Sequence, residues 1–572
     1  MTIILNFLIL YILTFLVSIL AFSYGSVINR EKAADDTLSK TSYNCIFGFI
    51  IIAVIALISN FFFPINQYLG NIFLILGLFL FLKYISNYKK IIFNLICISL
   101  IATIFISFDT INRPDAGLYH LPYIKTLQED KIILGLSNLH FRFGHVSILQ
   151  YISAIFNFSF IRNEIILLPL SVLIAAFFIN IVSEFYNNEN NKSLKFLIFI
   201  IFLFSTISYN RYSGYGNDGP THLIVLLFLI QLFKIIEKRN FQNFNEISKL
   251  VLLAIFSYLN KPFMAVLIIF PMYYFIKYHL KNLKFFTKLF KNFYIILSMI
   301  LFFAWTGKNI LNSGCIAYPL ETTCIKKLEY VDLQKTKDVK IMSEAWAKDW
   351  PNYKGDKVQS EYIKSLHWFE TWKNNHFKII YNKIIIFLIS ITVVFLSLII
   401  YQKKIKKIYY QFSIDELFFL IFFISIFIFS FFKFPLYRFS SSFINIPFIL
   451  LFYYLFKQFV NFDYTKKLQS FFVIILVSVI ITKNAKKIFD NYKVRNVFPN
   501  IYTLSDNKEK NIKQKLKPII QNNKIIYYTS KSECMYNKSL CTNIYNQKLY
   551  IKEIFGYKIF LLNNNDNKIN NF

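Results

Sequence analysis

No Walker loop, dinucleotide fingerprint or Gly-x-Ser-x-Gly elbow occurs in these 572 residues. The chain therefore lacks the motifs with which soluble enzymes cradle nucleotides or expose a serine nucleophile. None of its inner loops is large enough to hold a nucleotide-driven domain. A basic stripe interleaved with base-stacking aromatics is also missing, which sets nucleic acid aside despite a formal net charge of +32. Acidic side chains are scarce, 31 against 63 Lys and Arg, so the few that interrupt apolar sequence carry information. The opening MTIILN holds no lysine or arginine, which argues against a cleaved signal peptide with its basic start. No internal repeat of the kind found in many transporters is visible.

What the chain has instead is hydrocarbon. It is 56% hydrophobic, with 68 Phe, 38 Tyr and a mean hydropathy of +0.47, far more apolar than a soluble domain. Apolar runs of about 15–24 residues recur from end to end, long enough to cross a roughly 30 Å hydrocarbon layer as helix. The fold class expected is an all-α polytopic membrane protein with about 13–14 crossings, centred near residues 12, 52, 77, 98, 173, 202, 228, 254, 270, 299, 390, 424, 447 and 475. Basic clusters at Arg30/Lys32/Lys40, Lys83/Lys89/Lys90, Lys192/Lys195, Lys234/Lys238/Arg239, Lys277 to Lys291, Lys403 to Lys407 and Lys457/Lys466/Lys467 mark inner loops by the positive-inside rule. Alternation then places outside the loops 107–160 and 307–377, the C-terminal tail and Met1.

The cysteines test this sidedness independently. Cys45 and Cys97 lie inside apolar runs and read as core. Cys315 and Cys324 share one outer loop, and Cys534 and Cys541 share the tail. Two close pairs on an oxidising side read as disulfides, unpaired surface thiols being the alternative. Trp305, Trp346, Trp350, Trp368 and Trp372 all fall in or beside 307–377, which suggests a folded layer resting at the membrane interface.

The most informative stretch is residues 109–145, a polar interruption with four acidic residues and three histidines. In LYHLPYIKTLQEDKIILGL, Leu118, Leu121, Ile124 and Leu127 recur at three-residue steps, predicting an interfacial helix with Pro122 in its first turn. Asp115 stands just ahead of it, placed either to act as a general base or to cap the helix. Asp109 is a weaker candidate, and Glu129 and Asp130 read as an exposed face. His120, His140 and His145 lack metal-ligand spacing and read as hydrogen-bonding residues, so no metal is expected. Residues 249–277 are too short for two full spans, yet basic clusters flank both ends. Two short helices broken at Asn260-Lys261-Pro262 satisfy that, with Lys261 facing a watered cavity. Asp218 closes a short outer loop, as a second functional acid or an N-cap. Arg438 in KFPLYRFSS starts an outer helix end, suited with Lys433 to a lipid phosphate or to snorkelling at the interface.

These landmarks together resemble the GT-C superfamily of integral membrane glycosyltransferases. Asp115 in RPDAGLYHLPYIKTLQE matches the acid of that superfamily's first outer loop, and the break at Lys261 and the late Arg438 also fit. DAGLYHLPYI, GLSNLHFRFG, WTGKNILNSGCIAYPLETTC, PLYRF and CMYNKSLC are similar to an uncharacterised bacterial membrane-protein family. The chain departs from the superfamily in showing Asp115-Ala116 where a paired acid is common, and in having three helices ahead of the usual first one. The resemblance implies a GT-C-like domain over 1–483 in a bacterial inner membrane, active on its outer face, followed by a small extracytoplasmic α/β tail over 484–572. It implies sugar transfer from a polyprenyl-phosphate donor to a glycan or lipid acceptor without a soluble cofactor. Asp115 would be the base, and Tyr119, His120, Asp218, Lys261 and Arg438 would bind substrate, Lys261 and Arg438 at the phosphate. The alternatives are an O-antigen polymerase or ligase, which relies more on arginines, and a non-enzymatic transporter of such substrates.

Overall fold

A computed structural model describes residues 2–28, 38–85, 88–109, 115–209, 215–280, 285–364, 366–401, 413–459, 466–503, 516–521 and 524–562. Arg30, Lys32 and the Lys403 to Lys407 cluster of the sidedness argument lie outside the described residues, as do residues 110–114 and 210–214 beside Asp115 and Asp218.

The apolar runs fold as helices: α1 (Thr2–Ser26), α2 (Leu38–Phe62), α3 (Gln67–Tyr84) and α4 (Tyr88–Ile106). In the interruption, α5 (Leu121–Glu129) and α6 (Ile148–Ile155) are short. The second apolar block holds α7 (Leu168–Tyr186), α8 (Lys192–Ser208), α9 (Asp218–Glu237), α10 (Phe244–Asn260), α11 (Ile269–Tyr274), α12 (Phe285–Lys291) and α13 (Phe293–Ser313). A layer follows with α14 (Leu333–Ala347), α15 (Gln359–Tyr362) and α16 (Phe369–Trp372). The last helices are α17 (Lys378–Tyr401), α18 (Ile414–Lys433), α19 (Tyr437–Phe459) and α20 (Lys466–Asn491).

Eleven of the described helices are long and apolar enough to cross a membrane, an architecture compatible with a multi-pass membrane protein. The expected 13–14 crossings include three further runs, which are shorter helices. The runs near 202 and 254 are 17-residue helices, and the one near 270 is only six residues of α-helix between a 3-10 turn (Pro262–Ile268) and a π turn (Phe275–His279). α7 and α9 are apolar all round and mostly buried at the centre, whereas α1, α3, α17 and α18 keep exposed apolar faces, as lipid-facing helices do. α1 and α2 approach so closely that a Cβ at Gly48 would lie 1.7 Å from the Ala21 carbonyl oxygen. With no hydrophobic gain between helices in lipid, small residues and hydroxyl pairs such as Thr14–Thr103, 2.7 Å apart, hold such contacts.

The helix ends sort into two layers. At one end ion pairs gather: Lys234–Glu184 at 2.6 Å, Lys457–Glu237 at 2.6 Å and Lys457–Glu416 at 2.9 Å, largely buried, and Lys277–Asp415 at 2.6 Å, where Lys277 is partly exposed. At the opposite ends of the same helices lie the start of α9, the end of α10 and the start of α19. The break after α10 falls at Lys261, whose backbone is extended before Pro262, so the chain goes up to Lys261 and returns to Lys277.

Two expectations for the 109–145 stretch need correction. A π turn (Ala116–His120) leads into α5, but Leu121, Ile124 and Leu127 are all buried, so this is a core helix rather than one lying on an interface. Asp130 is not on an exposed face either, since its carboxylate pairs with Lys558 at 2.6 Å and accepts from the Ser539 hydroxyl at 3.0 Å. Both partners belong to the tail, which covers α5. In the 307–377 layer Trp368 and Trp372 are buried with Ala345 and Tyr362 as a small core of their own, while Trp346 stays exposed.

The tail starts late, because α20 runs past residue 483 to Asn491. Its described residues form strands: β1 (Lys517–Gln521), β2 (Lys524–Thr529) and β3 (Cys541–Thr542) in one sheet, and a hairpin of β4 (Leu549–Ile554) and β5 (Tyr557–Leu562). The helical half of the expected α/β tail is thus absent among the described residues. Leu134 joins the edge of β5, accepting from Phe560 at 2.9 Å and donating to Lys558 at 3.0 Å. Cys315–Cys324 and Cys534–Cys541 are disulfide-bonded. Thiol labelling of the unreduced protein is expected to modify none of the four and all of them after reduction and unfolding. Labelling of either pair without reductant would overturn the pairing.

Candidate active site

Asp115 opens the π turn without using its side chain as a cap. Its carboxylate instead lies between two guanidiniums: Arg142 Nη1 on Oδ1 at 3.0 Å and Arg438 Nη1 on Oδ2 at 3.1 Å. The capping alternative for Asp115 is therefore set aside. The three side chains are 20%, 24% and 31% exposed, buried enough to be held and open enough for a ligand to reach.

Each arginine is positioned by its own backbone. Arg142 sits in a 3-10 turn (Phe141–His145) whose cap is His140, with Nδ1 accepting from the Arg142 amide at 3.1 Å. Its guanidinium lies over the Tyr119 ring at 5.0 Å and the Trp346 ring at 5.7 Å, the stacking that guanidinium favours. Arg438 lies in the first turn of α19, after a Pro435 carbonyl that accepts from the Trp372 indole at 3.0 Å. Trp346 also lies 5.7 Å from Arg438, so one indole covers both cations.

The Arg438 backbone ties in a second ion pair. His222 Nε2 is 3.0 Å from the Arg438 carbonyl, which can only accept, so Nε2 carries the proton and Nδ1 accepts from the Ser442 hydroxyl at 2.8 Å. Lys261 Nζ donates to the same carbonyl at 3.5 Å and pairs with Asp218 Oδ1 at 2.5 Å. Asp218 is in the first turn of α9, where Asn217 is the cap residue, so its carboxylate serves Lys261 rather than the helix end.

Of the residues chosen from sequence, Asp115, Tyr119, Asp218, Lys261 and Arg438 are thus gathered. His120 lies behind them, its Nδ1 2.9 Å from Gln150 Nε2. Burial pushes its imidazole down to about 4, leaving a neutral ring. Lys433 goes elsewhere, to Glu344 at 3.2 Å. Asp109 faces Lys487 of α20 at 3.5 Å. The histidines separate: His140 meets Asn543 at 3.2 Å and His145 meets the Tyr318 ring at 5.3 Å. Among the described residues no three His, Cys, Asp or Glu side chains gather as a metal site.

Sequence reasoning missed Arg142, His222 and Glu533. The signal for Arg142 was an arginine between two phenylalanines, inside the interruption already singled out. Glu533 comes from the tail and reaches Gly117, two residues from Asp115. A Cβ at Gly117 would lie 2.0 Å from its Oε2, and the Cys534 and Met535 amides donate to the Gly117 carbonyl at 3.1 and 2.9 Å. Chemically, the arrangement offers two guanidiniums and an ammonium around two carboxylates, a geometry for binding an anion and moving a proton.

In comparison with known proteins, the model of one family, described as "Domain of unknown function (DUF8201)", matches residues 1–445. No curated protein and no solved structure matches.

Proposed function

The chain belongs to the DUF8201 family, and we propose that this member is a membrane glycosyltransferase of GT-C type, working at the outer face of a bacterial inner membrane. It takes a sugar from a polyprenyl-phosphate donor and passes it to a glycan or lipid hydroxyl of the cell envelope. The observation that carries this is Asp115 clamped between Arg142 and Arg438. A phosphate entering the site competes with Asp115 for the same guanidinium protons, in the bidentate geometry that arginine offers to phosphate. Binding the donor thereby frees a carboxylate beside the reacting sugar.

In the reaction, Asp115 takes the proton of the acceptor hydroxyl. The acceptor oxygen bonds to the anomeric carbon as the bond from that carbon to the phosphate oxygen breaks. The phosphate keeps that electron pair, and Arg142, Arg438 and Lys261 meet its charge. Trp346 closes the site over both arginines. Because the donor is already activated, no soluble nucleotide takes part.

The presence of two arginines also fits a second reading, an O-antigen polymerase or ligase that transfers a whole glycan. Membranes carrying the protein, supplied with a labelled polyprenyl-phosphate monosaccharide, separate the two. Transfer of single sugars is expected, and transfer from lipid-linked oligosaccharides alone would select the second reading. Arg142→Lys and Arg438→Lys, which keep charge but lose the fork, are each expected to raise the donor KM about tenfold or more, the cost of one charged hydrogen bond. An unchanged KM in both variants would remove the arginines from the phosphate.

A further inference from the structure

We propose that the C-terminal segment completes this site, Glu533 entering beside Asp115 as a proton-bearing carboxyl that lets the arginines accept a phosphate. The inference rests on the reading of Arg142 and Arg438 as the phosphate site, and it lies outside residues 1–445, the part matched by the family.

Three observations carry it. Glu533 is 8% exposed, and its Oε2 is buried with no hydrogen-bond partner, an expensive state for an ionised carboxylate and a tolerable one for a neutral acid. The loop around it is built to stay. Besides the Cys534–Cys541 disulfide and the two amides on Gly117, Ser530 Oγ donates to the Glu533 carbonyl at 3.0 Å and the Leu540 amide to Thr126 Oγ1 at 3.2 Å. Tyr536, in the same loop, hydrogen-bonds to Gln128 of α5. Finally, Glu533 packs its carboxyl directly on the π turn that Asp115 opens, its Oε2 lying 2.0 Å from where a Cβ at Gly117 would stand.

The groups facing it from each packed element settle its charge. On the π turn these are Asp115, neutral His120, and Tyr119, whose hydroxyl burial holds above its ordinary range. On α5, Lys125 is taken by Glu129 at 3.0 Å and lies over the Tyr536 ring. Arg142 and Arg438 are taken by Asp115. Burial, with the charge of Asp115 adding to it, pushes the Glu533 carboxyl up to about 7. Below that pH the site carries Asp115 as its anion beside two arginines, and a phosphate finds net positive charge. Above it a further carboxylate, added to Asp115 and to the Asp218 held by Lys261, competes with the phosphate.

The test uses the full-length protein in lipid nanodiscs, with farnesyl phosphate as the probe and inorganic phosphate in parallel to separate a lipid-borne from a free ligand. Wild type is expected to bind the preferred probe about tenfold more weakly at pH 8.5 than at pH 6, the effect of one nearby like charge in a partly screened site. Glu533→Gln, isosteric and always neutral, is expected to bind no more weakly at pH 8.5 than at pH 6. The phosphate itself gains charge as pH rises, which on its own would tighten binding, so the two effects have opposite signs. Gly117→Ala, whose Cβ displaces the Glu533 carboxyl, is expected to lose the weakening at pH 8.5 in the same way. Identical pH profiles in wild type and Glu533→Gln would overturn the proposal, as would the absence of phosphate binding at any pH. Intact, pH-dependent binding without sugar transfer would instead remove the transferase reading and leave Glu533 in this role.

Discussion

Asp115→Asn is expected to lower sugar transfer by about 10²–10⁴, the usual cost of losing a general base. Asparagine keeps the shape of the side chain, and its carbonyl still accepts from one guanidinium. It carries no negative charge, however, and cannot take the acceptor's proton. Arg142 and Arg438, now 3.0 and 3.1 Å from a charged carboxylate, would then face each other across a neutral amide. Donor binding is therefore expected to survive, and even to tighten, while turnover falls. The measurement is transfer from a polyprenyl-phosphate sugar in membranes holding each variant at equal expression, with donor affinity read alongside. Glu129→Gln is the matched control, because Glu129 is 44% exposed and pairs with Lys125 on its own helix, and it should cost little. Wild-type turnover by Asp115→Asn would remove the base and leave the carboxylate as an anchor for the arginines.

The largest effect on stability is expected at the opposite end. Lys457 of α19 joins Glu237 of α9 and Glu416 of α18, at 2.6 and 2.9 Å, with all three side chains at most 10% exposed. Tyr453 donates to Glu237 as well, and Glu416 completes a capping box with Ser413. Lys457→Ala would leave two buried carboxylates without their shared cation, a loss of about 3–5 kcal/mol. Replacing the whole triad with neutral partners, Lys457→Met with Glu237→Gln and Glu416→Gln, is expected to recover most of that, because the cost lies in unpaired charge. Thermal unfolding of the purified protein in detergent reads both. A Lys457→Ala protein that melts with wild type would show that other groups neutralise the two carboxylates.

Much of the helical scaffold could be read from the chain because one physical rule dominates it. Apolar runs near 30 Å long have few choices other than helix, and α1 to α4 stand where those runs do. The break at Lys261 could be read too, since basic residues at 249 and 277 demanded an even number of crossings. Three of the expected crossings are less regular than hydropathy alone reports: two apolar runs are 17-residue helices, and the return after Lys261 is split by 3-10 and π turns. In the site, Asp115, Asp218, Lys261 and Arg438 were visible as charges at the ends of apolar segments. Their pairing was not. Asp115 meets partners 27 and 323 positions away, and no periodicity in a single chain encodes such distances. Asp130 misled for the same reason, as its partners Ser539 and Lys558 lie in a tail that local amphipathicity cannot foresee.

The placement of Glu533 bears on how the molecule is made. Asp115, Arg142, Asp218, Lys261 and Arg438 all leave the ribosome before it, and about 100 further residues must be synthesised after Arg438. At ordinary elongation speeds that gap lasts roughly 5–20 s. During it the helices can assemble around two arginines and Asp115 with the neighbouring acid still missing. The nascent protein thus passes through a stage with its anion-attracting pocket formed and its regulating carboxyl not yet translated. A chain terminated after α20 and before Glu533 would stay there permanently, able to capture phosphates and unable to release its hold on them as the surroundings turn alkaline.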